Sequence, residues 1–285
     1  LTKHKTLLDR AAGILLVAFV FWLLASLGFL NNSTGSIVLS WVIVIAVGLF
    51  VFFRAPGDFD LRAWWRENRT VVIVVEVLFI LLLVSWAIVR AHNHSFAGTE
   101  KPMDLAFMSA IQRSETFPPN DPWLSGYSIS YYYFGYVMAA MLSEASGIWT
   151  TTGYNMHIAL LFALTGITAF GVTYNLVRSR TLRRAEPAGI EAGGQGLRSA
   201  YITPVSIGLL ALVFMTLLGT FHTPLIKIPY TNADLSETYY NFWDTKNENT
   251  LEGVTPVDFL SPANNWWWFN GTRAVRDLQL GGSHI

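Results

Sequence analysis

Residues 92–133 read "HNHSFAGTEKPMDLAFMSAIQRSETFPPNDPWLSGYSISYYY" and hold most of the side chains in this chain that could do chemistry. Glu100 and Asp104 are one helical turn apart. Residues 103–113 have the spacing of a short amphipathic helix, with Met103, Phe107, Ala110 and Ile111 on one face. Asp104 then falls in the first turn, where the helix dipole favours a carboxylate, so it either serves the helix or faces a ligand. Asp121 lies in "FPPNDPW", where the prolines fix φ and Asn-Asp before proline supports a tight bend; on local grounds it is a turn residue. His92 and His94 point the same way in an extended segment and could hold a divalent ion with a carboxylate, but a third ligand at fixed spacing is missing. Far downstream, "WWWFNGTRAVRD" places Arg273 and Arg276 after an aromatic block, and the planar guanidinium suits phosphate. These residues describe an acidic loop, a tyrosine-rich segment and an aromatic, arginine-bearing segment; alone they name no reaction.

The elements that must position them are apolar helices. Of the 285 residues, 52% are hydrophobic and only 13% charged, about half the charge of a soluble domain. Ala11–Leu30, Gly35–Phe53 and Val71–Val89 are each long enough to cross a bilayer, and Tyr154–Val177 and Tyr201–Phe221 are less oily but uncharged. The fold class is therefore an all-α polytopic membrane protein with about five transmembrane helices and a juxtamembrane helix. Glu76, inside the third span, sits within reach of the basic edge and reads as a snorkelling carboxylate, and His157 as a polar residue near a helix end. The absence of cysteine excludes disulfides and thiolate metal sites, and zero net charge without a basic run argues against nucleic acid as a partner.

Loop charge sets the expected topology. Lys3, Lys5 and Arg10 precede the first span; Arg54, Arg62, Arg66 and Arg69 fill the loop before the third; Arg178, Arg180, Arg183, Arg184 and Arg198 follow the fourth. Basic loops favour the cytoplasm. All three share that side only if "SGYSISYYYFGYVMAAML", residues 125–142, lies along the outer surface instead of crossing. Tyrosines prefer the interface, and the small residues Gly135, Ala139 and Ser143, four apart, would let another helix approach closely. The chain then divides into 1–90, three N-terminal spans; 91–153, an external acidic loop with a juxtamembrane helix; 154–221, two spans around a cytoplasmic basic loop; and 222–285, an external aromatic-rich segment.

"TEKPMDLAFMSAIQRSETFPPNDPWLSGYSISYYYFGY", residues 99–136, resembles the signature of the YYY-motif membrane proteins of bacteria and archaea (Chlor_Arch_YYY), and "NNWWWFNGTRAVRD" resembles a second block of that family. The family in turn resembles the GT-C glycosyltransferases, in which the first large external loop carries a catalytic acid. The resemblance implies an N-terminal portion of a longer protein in a prokaryotic plasma membrane. The implied activity is transfer of a sugar from a polyprenyl-phosphate carrier to an acceptor on the extracytoplasmic face. Asp104, or else Glu100, would be the general base; the tandem acidic pair common in those enzymes is absent, which leaves the choice open. Lys101, or Arg273 and Arg276, would meet the leaving phosphate. Asp121, Trp123, Tyr131, Tyr132 and Tyr133 would line the substrate groove. No protein metal site is assigned, although a divalent cation at Asp104 and Asp121 is compatible with the residues. Besides the bilayer and a lipid-linked sugar, other membrane subunits are candidate partners. The alternative is a non-catalytic membrane subunit that uses the loop as a protein interface.

The charge pattern predicts the outcome of cysteine labelling in intact cells. Ser179→Cys should react only from the cytoplasm and Ser125→Cys only from outside. External labelling at 179 would mean that the tyrosine segment crosses.

Overall fold

The computed structural model describes residues 9–54, 60–92, 94, 100–185, 195–217 and 238. Lys3, Lys5, Arg273, Arg276 and, apart from Thr238, the segment from 222 onward lie outside the described residues. Seven helices occur among the described residues: α1 (Asp9–Ser26), α2 (Thr34–Arg54), α3 (Leu61–His92), α4 (Lys101–Arg113), α5 (Phe134–Ser146), α6 (Thr150–Ala185) and α7 (Gln195–Leu217). The chain divides into two units, Leu1–Gly208 and Leu209–Ile285. Every contact described below lies within the first. The described residues of the second are the end of α7 and Thr238.

The fold is that of an all-α membrane protein. Thr34–Arg54, Leu61–His92 and Thr150–Arg180 are long and apolar enough to cross a bilayer, while Arg10–Ser26 and Thr203–Leu217 are shorter apolar helices. Two boundaries differ from the sequence pattern. The first apolar run leaves its helix at Ser26, because Gly28 takes a left-handed φ of 78° and turns the chain. The third helix starts at Leu61, ten residues before the apolar run, because Asp60 Oδ1 accepts from the Arg62 and Ala63 amides (2.8 and 3.1 Å) and caps it.

α3 and α6 run antiparallel and are tied at both ends. Arg90, near the end of α3, donates through Nε to Asn155 Oδ1 near the start of α6 (2.9 Å). At the other end Arg178 reaches Asn68 Oδ1 (3.2 Å), and between them Trp86 stacks on Phe162 at 4.1 Å. The chain therefore leaves α3 and enters α6 at the same end, and α4 and α5 occupy that end. α5 has only 13 residues, about 20 Å of helix against a hydrocarbon core of about 30 Å. It does not cross. The three tyrosines are not on it either: Tyr133 is its N-cap residue, and Tyr131 and Tyr132 precede it in non-helical chain. The helix stops at Gly147, whose left-handed φ of 64° lets its amide and that of Ile148 cap the last carbonyls. At the opposite end of the bundle Arg10 pairs with Glu76, so that carboxylate is held by α1 as well as being within reach of the edge.

Polar side chains dock α4 onto the α1–α2 turn. Asn32 Nδ2 donates to the carbonyls of Ile111 and Ser114 (2.6 and 2.7 Å), and its amide donates to Glu115 O (2.8 Å), which satisfies the C-terminal carbonyls of α4. Thr150 at the start of α6 donates to Gln112 Oε1 (2.5 Å), and Thr34 donates to Glu144 Oε1 (2.8 Å). Beneath these bonds Phe21 of α1, Phe107 and Ile111 of α4, Phe117, and Val137 and Met141 of α5 form one buried cluster.

The small-residue stripe on α5 is only partly used. Ala139 and Ser143 are buried, but Gly135 is exposed and a Cβ there would meet nothing within 4 Å. The tightest approach is instead Ser143 against Gly153 of α6, where an added Cβ would lie 2.1 Å from Ser143 Oγ and 2.9 Å from its Cβ. We therefore expect Ala139→Leu and Gly153→Ala each to destabilise the protein by about 1–3 kcal/mol through overpacking. Gly135→Ala should be neutral or slightly stabilising, by up to about 1 kcal/mol. Equilibrium unfolding of the purified protein checks this, and a neutral Ala139→Leu would mean that its face is open to lipid.

Candidate functional site

Asp104 stands where three elements meet. α4 supplies it from its first turn, where its amide donates to Glu100 O (2.9 Å). Tyr136 of α5 donates its hydroxyl to Asp104 Oδ1 at 2.5 Å, and Tyr154 of α6 donates to Oδ2 at 3.3 Å. Both partners are neutral hydroxyls. A carboxylate offers about four lone-pair sites, so these two bonds fix its orientation and leave acceptor capacity. Burial, and then the hydrogen bond to Asp104, push the Tyr136 phenol well above its ordinary value. It therefore stays protonated and continues to donate across the physiological range.

The tyrosine motif forms the outer wall. Tyr131 and Tyr132 pack ring on ring, 3.8 Å between centroids, and their hydroxyls are hydrogen-bonded to each other. That bond, with lesser help from burial and from the charges of Tyr132, Glu100 and Asp104, pushes Tyr131 up to about 12. Both carboxylates therefore act on the same phenol. Phe107 joins wall to floor: it lies 5.7 Å from Tyr131, 5.5 Å from Tyr136 and 5.3 Å from Trp123, centroid to centroid. Tyr133 turns the other way and accepts from Trp22 Nε1 of α1 (3.0 Å), below the end of that helix. Tyr133 thus lies level with the C-terminal part of α1, while Tyr132 and Trp123 remain 76% and 61% exposed.

The other residues singled out in the sequence are less concentrated. Glu100 is the exposed N-cap residue of α4 and makes no side-chain cap bond; Lys101 opens the helix beside it, half-buried. Asp121 Oδ1 accepts from the Trp123 and Leu124 amides (2.8 and 2.9 Å), which shapes the turn of a small hairpin closed by the Asn120–Ser128 bridge. His92 Nδ1 bonds the Ile88 carbonyl (2.8 Å). Among the described residues no three His, Asp or Glu side chains gather as a metal site requires. A cavity of about 30 Å³, room for one or two waters, lies by Asn32, Gln112 and Glu144 at the far end of α4. It is about 12 Å along that helix from Asp104 and does not belong to the same site.

A family model described as uncharacterized membrane protein (DUF2298) matches residues 16–279. The chain belongs to that family. No curated protein and no solved structure matches it. Within this family member, sequence reasoning missed Tyr136, Tyr154 and Arg90. Tyr136 lies just past the tyrosine run and one turn beyond Tyr133, and that spacing was its only signal. Nothing in the sequence distinguishes Tyr154 or Arg90 from ordinary residues at the ends of apolar spans.

The geometry predicts that Tyr136→Phe costs about 1.5–3 kcal/mol, as for a hydrogen bond to a charged group, and Tyr154→Phe, with the longer bond, costs less. In an Asp104→Asn background the effect of Tyr136→Phe should shrink. Fully additive effects on unfolding free energy would show that the two side chains do not interact.

Proposed function

We propose that the protein is a glycosyltransferase that moves a sugar from a polyprenyl-phosphate carrier to an acceptor hydroxyl, at the membrane end occupied by α4 and α5. We take that end as the extracytoplasmic one, because Arg10, Arg62, Arg66, Arg69, Arg178 and Arg180 all lie toward the other ends of α1, α3 and α6. Asp104 takes the proton of the acceptor hydroxyl, whose oxygen bonds the anomeric carbon as the bond to the carrier phosphate breaks. Lys101, which opens α4 three residues before Asp104, meets the charge that develops on the leaving phosphate. The Tyr131–Tyr132 stack and Trp123 offer flat aromatic faces to a sugar or a lipid chain at interface depth. The resemblance to the YYY-motif and GT-C families points to the same chemistry.

The observation that carries this reading is the setting of the Asp104 carboxylate: among the described residues it is oriented by two neutral hydroxyls and makes no ion pair. A loop that served only as a protein interface would be expected to pair its acids with its own arginines. Arg113 of the same helix donates instead to the Ser109 carbonyl (3.2 Å).

In the full-length protein, Asp104→Asn keeps size and polarity but cannot accept the proton. Transfer of radiolabelled sugar from a polyprenyl-phosphate donor should fall by at least about 100-fold while the protein still folds. Glu100→Gln is the control, since one base carries the step. Unchanged transfer in Asp104→Asn removes it from the mechanism; loss of folding assigns it to the structure of the α4–α5–α6 junction.

A further inference from the structure

Arg90 is the buried cation of this end of the molecule. Only 2% of its surface is exposed, yet its one described side-chain partner is a neutral amide: Nε and one Nη2 hydrogen both point at Asn155 Oδ1. Buried charges in proteins are normally paired with an opposite charge, because the low dielectric otherwise leaves desolvation uncompensated. A guanidinium has five N–H donors, and three of these have no acceptor among the described residues. Two of them form the outer fork, on the Nη1–Nη2 edge, and the third is the other Nη1 hydrogen.

Its surroundings sharpen the point. Asn155 follows Tyr154, the residue that donates to Asp104, and the charges of Arg90 and Asp104 both act on the Tyr154 hydroxyl. An arginine and an aspartate this close to one phenol would neutralise each other if they met. Each is instead held by neutral groups of α6: Asp104 by Tyr154, Arg90 by Asn155. The arrangement keeps an anion and a cation apart, and among the described residues neither has an ion-pair partner. Arg90 also lies in the last turn of α3.

We infer that Arg90 is an anion-binding residue whose outer guanidinium fork takes two oxygens of a phosphate ester carried by a membrane lipid. This deepens the glycosyltransferase reading by naming a phosphate-binding residue that the sequence motifs did not contain. Arginine suits the role because its fork matches phosphate oxygens two at a time, which the point charge of lysine cannot do.

The test is binding, measured without turnover. The full-length protein is placed in nanodiscs of phosphatidylcholine, and its affinity for a polyprenyl phosphate, the matching polyprenol and inorganic phosphate is determined. Wild type should bind the polyprenyl phosphate at least about 10-fold more tightly than the polyprenol. Arg90→Gln should abolish that difference, and Arg113→Gln, at the exposed end of α4, should leave it intact. Competition by inorganic phosphate would show that the phosphate alone suffices as ligand; lack of competition would show that the lipid chain is needed as well. Should Arg90→Gln not fold, Arg90→Lys keeps the charge without the fork and should weaken binding several-fold. Equal binding of polyprenol and polyprenyl phosphate, or unchanged binding in the folded Arg90 variant, overturns the inference. Loss of phosphate binding in Arg90→Gln together with unchanged transfer in Asp104→Asn would retain this site and remove the proposed reaction.

Discussion

The connection between α3 and α6 begins and ends at the same end of the bundle, and everything of functional interest follows from that constraint. Two 13-residue helices and a hairpin have to be packed at the margin of a bilayer, where polar groups cannot rely on water. Their termini are satisfied by side chains of neighbouring helices. Asn32 caps α4, Thr150 holds Gln112, and Ser114 both donates to Ala110 O and accepts from the Asn120 amide. The Asp104 carboxylate belongs to the same economy of hydrogen bonds, since it joins α4 to α5 and α6 through Tyr136 and Tyr154.

That joint differs from the others in one respect. Asn32 and Ser114 satisfy backbone groups that any folded chain must satisfy. Asp104 brings in a charge that an asparagine of the same shape would have avoided. A charge held at the membrane margin by neutral partners carries a desolvation cost that a purely structural hydrogen bond does not need. The same logic applies to Arg90, which is held by an amide where a second carboxylate would have formed an ion pair. Asp104 and Arg90 thus act on one phenol, that of Tyr154, while each is held by a neutral group of α6.

Three of the five expected apolar spans, the amphipathic α4 and the turn at Asp121 were legible in the sequence, while the first and fifth apolar runs form shorter helices among the described residues. Each rests on local physics: uninterrupted apolar length, 3.6-residue periodicity, and proline-fixed φ next to an Asx turn. Loop charge pointed to a tyrosine segment that stays at one face; α5, at 13 residues, is shorter than a spanning helix. The reach of the helix was misjudged, because an apolar run of about one membrane thickness does not reveal that its first half, from Ser125 to Tyr133, is hairpin and loop.

What the sequence could not determine is which side chains meet. Gly135, Ala139 and Ser143 form one stripe by spacing, yet only the last two are buried, because the crossing of α5 over its neighbours decides where a helix face is covered. Tyr136 lies 32 residues from Asp104, Tyr154 lies 50, and Arg90 and Asn155 are 65 apart. Hydrogen bonds between such positions leave no periodicity or local preference in the chain. The sequence by itself determined that this is a helical membrane protein with an acidic, tyrosine-rich connection. The choice of partners for Asp104 and for the buried Arg90 was made only by the antiparallel packing of α3 against α6, which brings the start of α6 level with both.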